Sequence, residues 1–272
     1  MILRKIRSFI KYRKSVSDNK TYPDFCLKAS SDDTVFNTFR NNEIYKNILE
    51  HVDDELAYKY WVLLQEKYNL EPDDIYSSIK KLNSIGSPNL IKIDKSIPEI
   101  SSTALRYLYT GLEIKNFVDN NNLKSRRIIE LGCGYGGQSI ILQDLIGIDT
   151  YTYVDLSEVN LLINKFISYF ELDFETSFTT LEGTFEDNYD LFISNYSFSE
   201  LPLNLQKIGI KKIINSCMSG YMIINSENFN KNYKFMKKND YERLFKSFEI
   251  NTENPQSSRL NVNYVYKFIN KL

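Results

Sequence analysis

The sequence predicts an α/β protein in which a helical region precedes an open, mostly parallel sheet with helices on both faces. Three observations carry this. The apolar run at residues 127–131 breaks into glycines at 132, 134, 136 and 137, and a helical pattern opens at about Gln138. From there onward β-type runs alternate with helical ones, as they do where helices cross between parallel strands. Ahead of the run, helix starts recur from residue 15 to about 120, and the first glycine of the chain is Gly86.

Taken in order, residues 1–14 place Ile2, Ile6, Phe9 and Ile10 on one helical face, surrounded by Arg4, Lys5, Arg7, Lys11, Arg13 and Lys14. Such a helix can make weak contact with an anionic membrane surface, and packing against its own protein explains the same pattern. Charge interrupts its apolar core and no small-residue cleavage site follows, so it is not a signal peptide. Phe36 and Phe39 mark a short helix, and Ile44, Ile48 and Val52 predict another begun near Asn42, with His51 bordering its buried face. Asp53 or Asp54 caps a third, carrying Ala57, Trp61, Leu64 and Tyr68. Pro72 opens a fourth, which ends before Gly86, and residues 87–98 form a loop. Ser101 or Ser102 then caps a helix through Ala104, Leu105, Leu108, Leu112 and Phe117 that delivers the chain to the first sheet strand.

Beyond the glycines, residues 150–155 form the second strand, and Ser157 caps a helix carrying Leu162, Phe166 and Phe170. Residues 177–181, Tyr189–Asn195 and 220–225 supply three more strands, with Pro202 opening a helix after the middle one. Residues 239–247 look helical, and 248–252 with 261–268 make a closing antiparallel pair. The expected division is a helical cap over 1–99 and a sheet domain over 100–272.

Composition excludes several classes. A net charge of −1 gives no electrostatic case for nucleic acid as a target. Three scattered cysteines, at 26, 133 and 217, form neither a disulfide framework nor a paired metal spacing, and suit a reducing cytoplasm. No apolar run approaches the roughly 20 residues of a membrane span. The hydrophobic content of 42%, with 14% aromatic, is ample for a large core.

Two cofactors fit the glycine loop. Gly132, Gly134 and Gly137 satisfy the dinucleotide pattern G-x-G-x-x-G. Gly132, Gly134 and Gly136, with Glu130 ahead of them, satisfy E-x-G-x-G-x-G, the first motif of S-adenosylmethionine-dependent methyltransferases. Glu130 favours the second, because a carboxylate there repels a pyrophosphate and attracts the cationic amino group and sulfonium of S-adenosylmethionine. Asp155 ends the next strand, where an acid takes both ribose hydroxyls in either cofactor class.

Four segments together resemble a known family: Ile100-Ser-Ser-Thr-Ala-Leu-Arg-Tyr-Leu-Tyr109, Glu130-Leu-Gly-Cys-Gly-Tyr-Gly-Gly-Gln138, Tyr153-Val-Asp-Leu-Ser157 and Ile193-Ser-Asn-Tyr-Ser-Phe-Ser-Glu-Leu201. They are similar to the bacterial sugar O-methyltransferases of surface-polysaccharide gene clusters, over roughly residues 35 to 268. The resemblance implies the class I methyltransferase fold, a Rossmann-like seven-stranded sheet with its last pair antiparallel. It also implies S-adenosylmethionine as cofactor and a sugar, free or nucleotide-linked, as the small-molecule acceptor. Methylated phosphoramidates of related glycan clusters are an alternative acceptor. A nicotinamide oxidoreductase and a non-catalytic binding subunit are competing functions.

A sugar hydroxyl is a poor nucleophile, so methyl transfer to it needs a proton acceptor. Glu200 and His51, the only histidine, are the candidates, with Tyr196 assisting by hydrogen bonding. Glu130, Gly132, Gly134, Gly136, Gln138, Asp155 and Asn195 are the candidate cofactor contacts, and Arg106, Tyr107 and Ser199 the candidate substrate contacts. Asp190, Asn195 and Glu227 could supply oxygen ligands, but no spacing signals a metal.

Overall fold

The computed structural model describes residues 17–186, 188–225, 234–245, 247–258 and 261–270; the basic segment 1–14 and Glu227 lie outside them. The helical region comprises α1 (Thr21–Ser31), α2 (Asp33–Phe36), α3 (Glu43–Lys46), α4 (Asp54–Tyr68) and α5 (Pro72–Asn83). A two-residue strand, β1 (Leu90–Ile91), pairs with β2 (Ile100–Ser101) within the expected loop region, and α6 (Ser102–Asn120) follows. The sheet domain then runs β3 (Arg127–Leu131), α7 (Gly137–Leu145), β4 (Thr150–Val154), α8 (Ser157–Ile167), β5 (Glu175–Thr179), β6 (Tyr189–Asn195), α9 (Ser197–Glu200), α10 (Leu203–Lys212), β7 (Cys217–Ile224), α11 (Lys238–Glu242), β8 (Ser247–Thr252) and β9 (Tyr264–Ile269).

The seven long strands lie in the order β5-β4-β3-β6-β7-β9-β8, parallel except for β9, which pairs antiparallel with both neighbours. This is the class I methyltransferase sheet. The central strands β3 and β6 are almost wholly buried because helices cover both faces. Edge strand β5 instead exposes Glu175, Thr176 and Ser177, polar residues that discourage pairing with another chain. One apolar cluster joins α1, α4, α5, α6, α7 and α8 on one sheet face, so these early helices bury their apolar sides together with the sheet's own helices. A second cluster, with Phe198, Ile213, Tyr241 and Phe245, fills the opposite face. Among the described residues no helix is long and apolar enough to cross a membrane.

Local chemistry explains most element starts. Asp53 accepts from the Leu56 N–H at 2.9 Å and Ser101 Oγ from the Ala104 N–H at 3.3 Å, each satisfying a free donor of the first turn. The helix expected over Ile44, Ile48 and Val52 is the exception: Asn42 caps it as predicted, but α3 ends at Lys46. Asn47 and Asp53, two residues that favour caps and turns over helix interiors, leave too short a span for it to continue. Tyr45, buried among Tyr22, Phe25 and Phe39, pins that single turn. His51 therefore sits on an irregular segment rather than a helix face. Ser157 is likewise the first helical residue and not a cap; its hydroxyl bonds the Glu158 carboxylate at 2.8 Å. The helix expected over 239–247 is confined to α11.

Candidate active site

A cavity of about 500 Å³ opens at the carboxyl ends of β3, β4 and β6. β3 is the strand from which the chain first runs outward through β4 to β5 before returning to β6. A crevice therefore forms there, outside the strand ends, where doubly wound sheets bind ligands.

The glycine turn builds the floor. Gly132 has φ +80° and Gly134 φ +61°, left-handed values that side chains resist. A Cβ on Gly132 would lie 2.0 Å from Ser197 Cβ, so the turn meets α9 with no room for more. A Cβ on Gly134 would meet Leu49 and the Tyr107 hydroxyl, both at 3.2 Å, inside the cavity lining. Gly136 and Gln138 stand behind this floor. A Cβ on Gly136 would touch Ile163 and Ile167 at 3.0 Å, and the buried Gln138 Nε2 donates to the Tyr107 carbonyl at 3.2 Å. Neither lines the cavity.

Two carboxyls project from the strand ends. Glu130 is 2% exposed and accepts from Tyr151 Oη at 2.7 Å. Burial pushes its pKa up to about 8, with the Asp155 charge adding to the rise and the Tyr151 hydrogen bond opposing it. The half-buried Asp155 is held by two backbone donors, Cys133 N–H at 2.9 Å and Leu156 N–H at 2.8 Å. Desolvation still raises its pKa to about 6. Beside them, Asn195 keeps its Oδ1 buried with no hydrogen-bond partner, an acceptor that a ligand donor would satisfy.

The opposite wall comes from α6 and the helical region. Arg106, 6% exposed, donates to the Leu49 carbonyl at 3.2 Å, and its guanidinium lies 5.8 Å from the ring centroids of both Tyr107 and Tyr196. No carboxylate among the described residues pairs with it, so a buried positive charge faces the cavity uncompensated. His51 lines the same wall with its side chain open to solvent. Crowding by the protein on its other sides and, second, the nearby Arg106 charge push its pKa down to about 4. Its imidazole is therefore neutral at physiological pH and a weaker base than a free histidine.

The segment after β6 completes the site. Tyr196 adopts φ +71°, a strained value for a bulky residue, and its hydroxyl donates to Glu253. Glu200 lines the cavity and accepts from Asn225 Nδ2 at 2.8 Å. Ser199 does not line it: its hydroxyl donates to the Tyr196 carbonyl at 2.6 Å and accepts from the Asn225 N–H at 3.0 Å, tying α9 to the end of β7. Asp190 stands at the opposite end of β6, where it accepts from the Arg126 and Arg127 N–H groups, so it does not converge with Asn195. Among the described residues no group of three or more His, Cys, Asp or Glu side chains could hold a metal ion.

No family model and no curated protein matches the chain. Among solved structures it is similar to an S-adenosylmethionine-dependent methyltransferase from Clostridium acetobutylicum (14% identity, 61% of this chain and 92% of that chain, TM-score 0.47). It is also similar to magnesium protoporphyrin IX methyltransferase from Synechocystis (14% identity, 84% and 97%, TM-score 0.47). The N-methyltransferase NodS from Bradyrhizobium japonicum is a third (11% identity, 61% and 96%, TM-score 0.48).

Sequence patterns missed part of the lining. Leu49, Asn225, Ser257 and the Tyr196 partner Glu253 belong to no motif. Glu253 is 5% exposed and accepts from Ser257 N–H at 3.0 Å, Ser257 Oγ at 2.8 Å and Asn263 Nδ2 at 3.0 Å. It draws the β8–β9 connection against the site. The one signal was indirect, an acid in the loop between the two closing strands.

Proposed function

We propose that the chain is an S-adenosylmethionine-dependent O-methyltransferase acting on a sugar, free or nucleotide-linked, of a bacterial surface polysaccharide. The observation that supports it most is the convergence of Glu130, Gly134, Asp155 and Asn195 on one cavity at the switch point of the sheet. The lining suits this cofactor: the Gly134 cradle leaves backbone open, the Asn195 Oδ1 lacks a partner, and Asp155 offers a carboxylate for ribose hydroxyls. Glu130 opposes the ligand's cationic end, and Arg106 its carboxylate. When bound, S-adenosylmethionine supplies a methyl group already activated by its sulfonium.

The chain's own tasks are then alignment, exclusion of water and removal of one proton. With the acceptor hydroxyl aligned on that methyl group, its proton would pass to His51 or Glu200. His51 is open to the cavity, whereas Glu200 is engaged by Asn225, so access favours His51. S-adenosylhomocysteine should raise the melting temperature of the full chain, while NAD and NADP should not, because a ligand stabilises the state it binds. Stabilisation by NAD alone would overturn the reading.

A further inference from the structure

A second cavity of about 310 Å³ adjoins the first. It lies between α4 and α6 on one side and the β7-β9-β8 part of the sheet on the other. Thr110 lines both cavities, and the Tyr196–Glu253 hydrogen bond joins a wall of the first to a wall of the second.

The charges on its lining are already satisfied. Lys67 pairs with Glu113 at 2.5 Å, and Lys267 with Glu249 at 3.8 Å. Glu253 is held by Tyr196, Ser257 and Asn263. Two hydroxyls are not satisfied. Tyr109 and Tyr221 are 6% and 2% exposed, both line the cavity, and neither phenol has a hydrogen-bond partner among the described residues. Both oxygens are open to the cavity rather than sealed in the core, so a partner from outside the protein can reach them. Burial also holds both phenols well above their ordinary pKa, which keeps them neutral donors. Tyr60 and Tyr109, with ring centroids 5.5 Å apart, add aromatic surface, and Ile223 and Val265 add apolar surface.

We infer that this second cavity binds an uncharged, polyhydroxylated ligand, a saccharide ring, through the hydroxyls of Tyr109 and Tyr221. A saccharide presents hydroxyls for the two phenols and C–H faces for the rings, and it brings no charge that the paired lysines and glutamates would have to give up partners to meet. An anion would have to take a lysine from one of those ion pairs. That this occupant is the methyl acceptor rests on the proposed transferase activity; that the cavity binds it does not.

The test uses the full chain loaded with S-adenosylhomocysteine and saturation-transfer difference NMR. The probes are methyl α-glucoside, N-acetylglucosamine and rhamnose, with citrate as the charged control. At least one saccharide should receive magnetisation and citrate should not. Tyr109→Phe and Tyr221→Phe keep the rings and the fold, and each should weaken saccharide binding about fivefold, with affinity for S-adenosylhomocysteine unchanged. The inference is overturned by silence from all three saccharides, by binding undiminished in the double variant, or by citrate competing at the same tyrosines. Loss of S-adenosylhomocysteine binding beside intact saccharide binding would count against the transferase reading and leave this inference standing.

Discussion

The two cavities share Thr110 and differ in what they leave unpaired. In the first, among the described residues, the Asn195 Oδ1 has no hydrogen-bond partner and a buried guanidinium, Arg106, has no carboxylate. In the second, among the described residues, every charge has a partner while the phenols of Tyr109 and Tyr221 have none. What a site leaves unsatisfied specifies its ligand better than what it contains. By that measure the first cavity is built for a zwitterion with an anionic end, and the second for a neutral hydroxyl-rich ring.

The largest expected effect divides chemistry from binding. In single-turnover methyl transfer to the saccharide that binds, replacing the true base (His51→Asn or Glu200→Gln) should lower the rate by roughly 10²–10⁴ with cofactor affinity nearly intact. Because the His51 pKa lies at about 4, a histidine base gives an acid limb near pH 4 and not at 6–7. The pH profile alone then no longer separates it from a carboxylate, and the variants must. Near wild-type rates in both would move the proton transfer elsewhere, Tyr196 at the partition being the next group to replace.

Arg106→Met should weaken S-adenosylhomocysteine binding by roughly 10- to 100-fold through loss of a charge-assisted contact. Calorimetry should show saccharide affinity unaffected. Equal losses for both ligands would mean that the two cavities are one site, and the contrast between them would fail.

The mildest effect is on pH. Burial favours the neutral forms of Glu130 and Asp155, with pKa values of about 8 and about 6. A ligand with a cationic amine needs Glu130 ionised, so S-adenosylhomocysteine affinity should rise up to about tenfold per unit on the approach to pH 8 and then level off. Saccharide affinity should stay flat over the same range. The same raised values mean that the ligand-free protein gains stability from these carboxyls at low pH and loses it as pH rises through about 6 and then about 8. A flat titration for both ligands would remove Glu130 from the cofactor site.

Much of this was legible in the residues because it depends on neighbours a few positions away. The caps at Asn42, Asp53 and Ser101, the Pro72 start and the glycine turn are set by donors and dihedrals within one helical turn. The strands followed from apolar runs bounded by polar residues. Where that local logic met two competing short-range signals, as at Asn47 and Asp53, the predicted helix under His51 stopped early.

The sequence by itself determined the α/β order, the closing antiparallel pair and the switch-point position of Glu130, Gly132, Gly134, Asp155 and Asn195, since each is tied to the end of a recognisable strand. It could not say which polar groups would be left over. Among the described residues Arg106 is answered by the Leu49 carbonyl 57 residues earlier, and Tyr196 by Glu253 57 residues later. Ser199 is consumed by the Asn225 backbone, 26 residues away, and Tyr109 and Tyr221 face one cavity from a helix and a strand packed together. Hydrogen-bond satisfaction is a sum over everything within about 3.5 Å, and folding alone brings those distant partners within reach or leaves them out of it.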